Sequence, residues 1–339
     1  MESINSNCQP ADWNTAFEPR LTVESSMPYE EYTGLIEKSA NDTRQYRLVR
    51  LPNNLVAVCI QDTDAKEAAA SLSVNVGSYV DPAELQGLAH FLEHMLFLGT
   101  EKYPNEGEYM AFISNNSGKY NAYTSYNETN YHFSIFNGAL EGALDRFAQF
   151  FISPLFNTDC VDRELKAVDS EHKGYLQTDS WRLYQLDAFT SNPAHPFSGF
   201  NVGNTETLKG AAAELGLDLR EELIKLYQKY YSADIMRLVI VGDYSLDTLT
   251  EWVTSKFSDV KSKGNTKPTF DGHPLGEGQL GKLIRYKTVY QKYELWLQFA
   301  LPDLKSTYGE NPFDYIGTLI NHKEQGSIYS VDWKTMKPL

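Results

Sequence analysis

The sequence predicts an α+β fold, on two observations. Short apolar strands alternate along the chain with amphipathic helices instead of forming one continuous run. Two of the strands, 119–125 and 130–136, are separated by only four residues, as in a hairpin. Mixed elements with hairpins fit an α+β fold better than a doubly wound parallel sheet.

The first 136 residues predict a tail, five strands and two helices. Residues 1–41 are polar and weakly periodic, which predicts an N-terminal tail with a short helical stretch at most. Apolar or alternating runs bounded by turn residues predict strands at 46–51, 55–61, 69–76, 119–125 and 130–136. Apolar residues at helical spacing predict helices at 88–98 and 106–114. Gly99 follows the first of these, where helices commonly end.

The following 125 residues predict mainly helices. Apolar periodicity predicts helices at 138–152, 162–177, 181–190, 221–231 and 246–257. Pro154 ends the first of these helices, and acidic residues in the first turn favour the start of the second. Residues 192–207 are rich in Gly, Pro and Asn and predict a loop, whereas the apolar run 238–242 predicts a buried strand. We expect residues 42–261 to form one domain.

The composition changes after residue 261. Residues 262–281 are rich in Gly, Pro and Lys, which predicts a linker. The remaining residues, 282–339, predict strands at 283–290 and 294–301 and a helix at 311–320. Two strands followed by a helix faintly repeat the opening of the first domain. Because this stretch is small for an independent core, we expect a second, similar domain that is truncated.

Composition also limits the partners of the chain. The 339 residues are 42% hydrophobic and 22% charged, as in an ordinary globular protein. The net charge of -15 disfavours nucleic acid, because phosphate binding needs a basic surface. The charge is compatible with neutral or cationic peptides. No run approaches the ~20 apolar residues of a membrane span, so we expect no membrane span.

Cysteine use and the N-terminus predict the compartment. Cys8, Cys59 and Cys160 are widely spaced, which suits a reducing compartment and argues against a disulfide framework. Residues 1–20 are acidic and have neither the apolar segment of a secretory signal nor the composition of a transit peptide. We therefore expect a cytoplasmic protein, and a mitochondrial location is less favoured.

The helix at 88–98 carries the pattern with the most chemical content. His90, Glu93 and His94 share one face, because residues three and four apart on a helix are neighbours. Two histidines at i and i+4 can hold one Zn²⁺ through their ring nitrogens, and Glu93 can take a proton from the water bound to the metal. This H-x-x-E-H order is that of the inverted zincins. The alternative is a buried helix with two satisfied histidines and an unrelated glutamate.

A catalytic zinc needs a third protein ligand and an open position for water. Glu164 and Glu171 lie seven residues apart on the predicted helix 162–177 and share a face with Ala167 and Val168. Carboxylates beside small apolar residues are unusual on a solvent face, so either glutamate could reach a metal. The alternative is two surface carboxylates on an exposed stripe.

Long segments of the chain resemble one known family. Residues 90–100, HFLEHMLFLGT, are similar to the catalytic segment of the pitrilysin-type (M16) zinc metallopeptidases, and of the insulysin branch in particular. Further similar segments lie in register at 122–124, 129–131, 142–147, 163–171 and 192–197. The resemblance extends from about residue 44 to 328. It implies a mixed, largely antiparallel sheet covered by helices, followed by an incomplete second domain of the same kind.

The resemblance implies a set of metal-binding and catalytic residues. It implies one zinc ion per chain on His90, His94 and Glu171, with Glu93 as the general base. It also implies that Glu164 is a neighbouring carboxylate that orients a ligand. Residues 42–261 would then be the catalytic domain.

The resemblance also implies residues that bind substrate. Asn121, Ala122 and Tyr123 would lie on an edge strand that pairs with the substrate backbone. Phe97 would line the pocket near the metal. A plain core strand at Tyr123 and plain core packing of Phe97 are the alternatives.

Together these features predict a zinc metalloendopeptidase that hydrolyses short flexible peptides with a zinc-bound water and a glutamate base. One alternative is a catalytically impaired or non-catalytic peptide-binding fragment of the family. Another is a mitochondrial processing peptidase subunit, which would need a transit peptide and a partner subunit. Full enzymes of the family have four similar domains in two halves, so a homo-oligomer or a C-terminal half acting in trans is a further expected partner.

Overall fold

The computed structural model describes residues 16–301, 312–328 and 330. The chain divides into two compact units, Met1–Tyr290 and Gln291–Leu339. The first unit contains every strand of the described residues. The described part of the second unit contains one long helix.

The first unit is built on an eight-stranded sheet. In chain order the strands are β1 (Phe17–Leu21), β2 (Pro28–Tyr32), β3 (Gln45–Arg50), β4 (Val56–Gln61), β5 (Glu67–Val74), β6 (Lys119–Thr124), β7 (Thr129–Phe136) and β8 (Met236–Gly242). Their order in the sheet is β1-β2-β3-β4-β8-β5-β7-β6. Neighbouring strands are antiparallel except β4 and β8, which run parallel. The sheet is therefore mixed and largely antiparallel, as the resemblance implies.

The described residues form nine α-helices, of which eight belong to the first unit and α9 to the second. They are α1 (Leu88–Met95), α2 (Glu108–Asn115), α3 (Leu140–Ile152), α4 (Thr158–Tyr175), α5 (Asp179–Thr190), α6 (Ala211–Leu215), α7 (Leu219–Tyr230), α8 (Leu246–Phe257) and α9 (Pro312–Asn321). Short 3₁₀ turns occur at Ser78–Val80, Asn137–Ala139, Pro196–Ser198 and Ala233–Ile235, and a π-helical turn at Glu206–Gly210 leads into α6. None of the helices in this described part is both long and apolar enough to cross a membrane.

The core lies between the sheet and helices α1, α3 and α8. In β5, alternate residues are buried from Ala68 to Val74, which is the period of a strand with one face against a core. Phe147 of α3 is fully buried and packs against Phe133 of β7 and Phe257 of α8. Burying an aromatic side chain of this kind stabilises a fold by about 1.5–3 kcal/mol. The core thus fixes the helices that surround the candidate site.

Most of the predicted elements are confirmed, with shifted ends. Helix α1 ends at Met95 rather than residue 98, and α4 begins at Thr158, before the predicted start at 162. The hairpin, the strand at 238–242 and the helix at 311–320 are present, although residue 311 lies outside the described residues. The short helix α6 was not predicted. Cys59 and Cys160 are buried free thiols, and Cys8 lies outside the described residues.

Two predictions are wrong. Residues 1–41 are not only a tail, because β1 and β2 form a hairpin that extends the sheet from β3. Four of the five β1 residues are exposed, so this edge strand has no apolar alternation by which to find it. The predicted strands at 283–290 and 294–301 are absent from the described residues. Leu295 and Phe299 are 78% and 77% exposed, so no layer of the described residues covers these apolar side chains.

Candidate metal centre and active site

Helix α1 presents its polar residues to a cavity because its other face is buried. Leu88, Phe91, Leu92 and Met95 are at most 1% exposed, so the remaining face carries His90 and His94. At the start of the helix, the Asp81 carboxylate accepts hydrogen bonds from the amides of Gly87 (2.9 Å) and Ala89 (2.8 Å). Helix α4 packs against α1 and carries Glu164 and Glu171. Two packed helices therefore hold the four side chains.

The structure brings together the three side chains for which the resemblance implies a metal. The Glu171 Oε2 atom lies 3.7 Å from His90 Nε2 and 3.5 Å from His94 Nε2. One donor atom from each residue lies within 4.8 Å of the other two. In a tetrahedral zinc site with bonds of 2.0–2.1 Å, donor atoms are about 3.3 Å apart. The two distances from Glu171 to the histidines are close to that value.

The second ring nitrogen of each histidine has a hydrogen-bond acceptor. His90 Nδ1 donates to the Val202 carbonyl oxygen at 2.6 Å, and His94 Nδ1 donates to Glu164 Oε1 at 2.7 Å. Because a carbonyl oxygen can only accept, the proton of neutral His90 is on Nδ1. The Nε2 atom of His90 is then left with a lone pair that faces Glu171, and that of His94 has one once His94 has lost its second proton. This is the arrangement in which histidine binds a metal.

Glu171 is oriented from its own helix. Its Oε1 atom accepts a hydrogen bond from the Tyr175 hydroxyl, one turn further along α4. The Tyr175 ring stacks on Trp181 of α5, with ring centroids 4.1 Å apart. The bond from Tyr175 leaves Oε2 as the oxygen that faces the two histidines.

Glu93 lies beside the three donor residues but is held separately. It is only 6% exposed, and its Oε2 atom accepts a hydrogen bond of 2.6 Å from the Thr124 hydroxyl at the end of β6. Burial raises the pKa of Glu93 to about 7, and the bond from Thr124 opposes that shift. A carboxyl group with a pKa near neutrality can both accept and donate a proton under physiological conditions.

The donor residues also perturb one another's charge. Burial lowers the pKa of His90, and the neighbouring His94 lowers it further. Burial alone would lower the pKa of His94 as well, but hydrogen bonds to Glu164 and Glu171 outweigh it and raise the pKa to about 9. The same bond to His94 lowers the pKa of Glu171 to about 2. Without a metal, the group therefore holds a proton between His94 and its carboxylates.

A cavity of about 450 Å³ opens above these side chains. Asn121, Ala122 and Tyr123 line it from β6, which is the last strand of the sheet. One edge of β6 therefore has no partner strand among the described residues. Phe97 also lines the cavity and at the same time packs into an aromatic cluster with Tyr109, Tyr120, Tyr131 and Phe150. Phe97 therefore both lines the pocket, as the resemblance implies, and packs in the core, as the alternative has it.

The sequence analysis missed four residues of this centre. Tyr175 could have been found, because it lies four residues after Glu171 on the same helix. Thr124 directly follows the predicted edge-strand residues, so its neighbourhood was indicated but its bond to Glu93 was not. Nothing in the sequence pattern indicated a role for Trp181. Nothing indicated Val202 either, because it acts through its carbonyl oxygen, which every residue type has.

Comparison with known proteins agrees with this geometry. Residues 56–194 match the model of the insulinase family, peptidase family M16, and residues 218–331 match that of the peptidase M16 inactive domain. The two matches together cover about three quarters of the chain. The predicted family is therefore confirmed by matches on both sides of the 195–217 segment.

Individual relatives give the same result. The chain is 45% identical over 295 residues to human insulin-degrading enzyme, covering 87% of this chain and 29% of that protein. It is 44% identical over 287 residues to the A-factor-processing enzyme of Saccharomyces cerevisiae, covering 85% and 28%. The crystal structure of pitrilysin superposes with a TM-score of 0.82 at 31% identity, covering 90% of this chain and 32% of that one. The chain thus spans about 30% of the length of the proteins it matches. It belongs to the insulinase family of peptidases, family M16.

Proposed function

We propose that this chain carries the catalytic centre of a zinc metalloendopeptidase that hydrolyses short, flexible peptides. The observation that supports the proposal most is the convergence of His90, His94 and Glu171 beside the buried carboxyl group of Glu93. Membership of a peptidase family points to the same chemistry.

The donor set fits zinc. Two imidazole nitrogens and one carboxylate oxygen form the His₂Glu set found in catalytic zinc sites, which leaves a fourth position open. Each histidine has an acceptor for its other ring N–H, namely the Val202 carbonyl and Glu164. Zinc bound there would activate a water molecule and polarise the scissile carbonyl group.

Glu93 is proposed as the general base. Thr124 holds one of its carboxylate oxygens, which leaves the other free to accept a proton. Glu93 would take a proton from the attacking water and later give it to the departing amine nitrogen. Burial favours this role, because a carboxyl group with a raised pKa transfers protons readily near neutral pH.

The cavity supports an extended peptide as substrate. The open edge of β6 can accept a peptide as an added strand, so that backbone hydrogen bonds align the scissile bond with the metal. Such pairing requires an extended segment, which favours short and flexible substrates. The lining includes Glu93, Glu164 and Glu171, and none of the described lining residues is Lys or Arg. An acidic lining favours neutral or cationic peptides.

The direct test is the substitution Glu93→Gln. We expect this variant to retain one zinc ion per chain, measured by elemental analysis, and to lose turnover of a fluorogenic peptide. Glu101→Gln is the matched control, because Glu101 is an exposed glutamate outside the cavity. Loss of zinc in Glu93→Gln would mean that Glu93 is a ligand, and undiminished turnover would mean that it is not the base.

The same assay separates the alternatives. A non-catalytic peptide-binding member of the family would bind zinc and peptide but show no turnover in the wild-type chain. A mitochondrial processing peptidase subunit would cleave presequence peptides only with its partner subunit present. The proposed peptidase function requires that the wild-type chain cleaves the peptide, that a chelator abolishes this turnover and that added zinc restores it.

We also propose where the protein acts and what completes its centre. The sparse cysteines support a reducing compartment such as the cytoplasm. None of the described residues that line the cavity is Lys or Arg, so we propose that a further polypeptide adds a positively charged side chain near the scissile carbonyl. A C-terminal half of a family member acting in trans is one source, and a second copy of this chain is the other. Turnover that rises on mixing with the C-terminal half, but not with protein concentration alone, would identify the first source.

A further inference from the structure

We propose that the backbone contact between Gly87 and Gly203 is a positioning device for the metal centre. It holds the Val202 carbonyl against His90 and thereby sets the zinc affinity. The inference rests on the zinc site proposed above. It concerns two residues with no side chain, and it assigns to the loop after residue 199 a role in positioning a metal ligand.

The contact leaves no room for a side chain at Gly87 and little room at Gly203. Gly87 precedes α1 with φ of 90°, and a Cβ atom there would lie 2.2 Å from Gly203 Cα and 2.4 Å from Gly203 N. Gly203 has φ of 77°, and a Cβ atom there would lie 3.2 Å from both Gly87 Cα and Gly87 O. Both φ values lie in the region that favours glycine. At Gly87 the nearest atoms belong to the backbone and cannot rotate away, whereas at Gly203 the nearest atom, at 3.0 Å, is Cδ1 of the Leu208 side chain.

This contact lies next to a hydrogen bond to the metal centre. Val202 directly precedes Gly203, and its carbonyl oxygen accepts the 2.6 Å hydrogen bond from His90 Nδ1. His90 lies three residues after Gly87, within the first turn of α1. The separation of the two glycine backbones therefore determines how far the Val202 carbonyl lies from the imidazole.

Two further bonds hold the loop at the same place. The Phe200 amide donates to Gln86 Oε1 at 2.8 Å, and the Thr207 hydroxyl donates to the Gln86 carbonyl oxygen at 3.0 Å. They fasten the loop on both sides of Gly203 to the residue that precedes Gly87. These hydrogen bonds and the glycine contact therefore hold the loop against the start of α1.

The two histidines are consequently fixed in different ways. His94 is oriented by the Glu164 side chain, which can adjust by rotation. His90 is oriented by a backbone carbonyl, which can move only if the loop moves. Disturbing the glycine contact should therefore affect His90 and leave the His94–Glu164 bond intact. Partners of this kind usually contribute 10–100-fold to metal affinity.

The test compares alanine substitutions with matched controls. We expect Gly87→Ala and Gly203→Ala each to weaken zinc binding by about 10–100-fold, with the larger effect at Gly87, where the added methyl comes closer to backbone. Gly107→Ala is the control for Gly87, because Gly107 also precedes an eight-residue helix but has nothing within 4 Å of its Cβ position. Gly216→Ala is the control for Gly203, because Gly216 has φ of 68° and open space.

Two measurements decide the outcome. The zinc dissociation constant is measured by competition with a chelator, on protein whose folding is checked by circular dichroism. The imidazole N–H signals of zinc-loaded, ¹⁵N-histidine-labelled protein report the two hydrogen bonds separately. In Gly203→Ala we expect the His90 signal to shift and that of His94 to remain.

An affinity of Gly203→Ala within twofold of wild type would overturn the proposal, as would signals that shift equally for both histidines. If Gly87→Ala does not fold, Gly203→Ala alone decides, since its methyl meets neighbours only at 3.0 Å or beyond. Failure of the wild-type chain to bind zinc would instead refute the proposed function, so the two failures are distinguishable.

Discussion

Thr124, the last residue of β6, donates a hydrogen bond from its hydroxyl to the carboxylate of Glu93 on α1, with an Oγ1–Oε2 distance of 2.6 Å. The bond joins the strand proposed to bind substrate to the residue proposed as the base. If a peptide that pairs with β6 shifts the position of this strand, the bond from Thr124 would also reorient Glu93.

Replacing Thr124 by valine keeps the shape of the side chain and removes the hydroxyl. A hydrogen bond to a charged group is worth about 1.5–3 kcal/mol, so we expect kcat to fall by about 10–100-fold with zinc content unchanged. Thr124→Ser should restore most of the activity, because it restores the hydroxyl. Equal kcat values for wild type and Thr124→Val would show that the bond does not position the base.

Zinc uptake should release a proton. The pKa of His94 is raised to about 9 in the metal-free protein, so His94 is charged at pH 7.5, whereas a zinc ligand must be neutral. Between pH 7 and 9 the apparent zinc affinity should therefore rise about tenfold per pH unit. Isothermal titration calorimetry in buffers of different ionisation enthalpy measures this proton. A binding enthalpy that is independent of the buffer would contradict the prediction.

The same pKa gives the sign of the pH dependence of stability. The pKa of His94 is higher in the folded, metal-free protein than in the unfolded chain. Its bonds to Glu164 and Glu171 therefore stabilise the metal-free fold fully below the ordinary pKa of about 6.5. This stabilisation is lost as the pH rises through about 9. The increase in Tm caused by zinc should accordingly grow from pH 6.5 to pH 9, and in Glu164→Gln, where His94 is less basic, it should grow less.

Substrate pairing with β6 can be tested on the peptide. Adjacent strands of an antiparallel pair exchange hydrogen bonds at alternate residues, and a parallel pair also uses alternate residues of each strand. A scan of N-methylated peptides should therefore weaken binding at every second position. Binding that falls at a single position, or uniformly, would contradict strand addition.

The aromatic core gives a stability prediction that is independent of the metal. Phe147 is fully buried and contacts aromatic rings of β7, α3 and α8. We expect Phe147→Ala to lower the free energy of unfolding by about 3–5 kcal/mol in a denaturant titration. Phe189→Ala is the control, because Phe189 is 79% exposed and its removal should change stability by less than about 0.5 kcal/mol.

The sequence predicted features that lie within a single helix, but not contacts between residues distant in the chain. His90 and His94 could be placed on one face because both lie on a single helix, and the seven-residue spacing brought Glu164 and Glu171 to one face of another. The hydrogen bond between Thr124 and Glu93 joins residues 31 apart in sequence, and nothing local to either residue indicates it. Family resemblance, not periodicity, distinguished Glu171 from Glu164.

The missed and wrong elements have a common physical reason. Strands β1 and β2 contain charged residues and prolines. β1 pairs with β2 and β2 pairs with β3, and local patterns do not encode such pairing. The apolar alternation at 294–301 suggested a strand, but a strand also needs a partner, and the described residues provide none there.

The position of β8 affects how the chain reaches this fold during synthesis. β8 lies between β4 and β5, and it pairs Val56 with Arg237, residues 181 apart. Until β8 leaves the ribosome, β4 and β5 each have an unpaired strand edge in the middle of the future sheet. Unpaired edges are sites of aggregation, and distant pairings form slowly. At 5–20 residues per second, the ribosome needs roughly 10–40 s to make the residues between β4 and β8. During that interval these two edges are open to pairing with other chains.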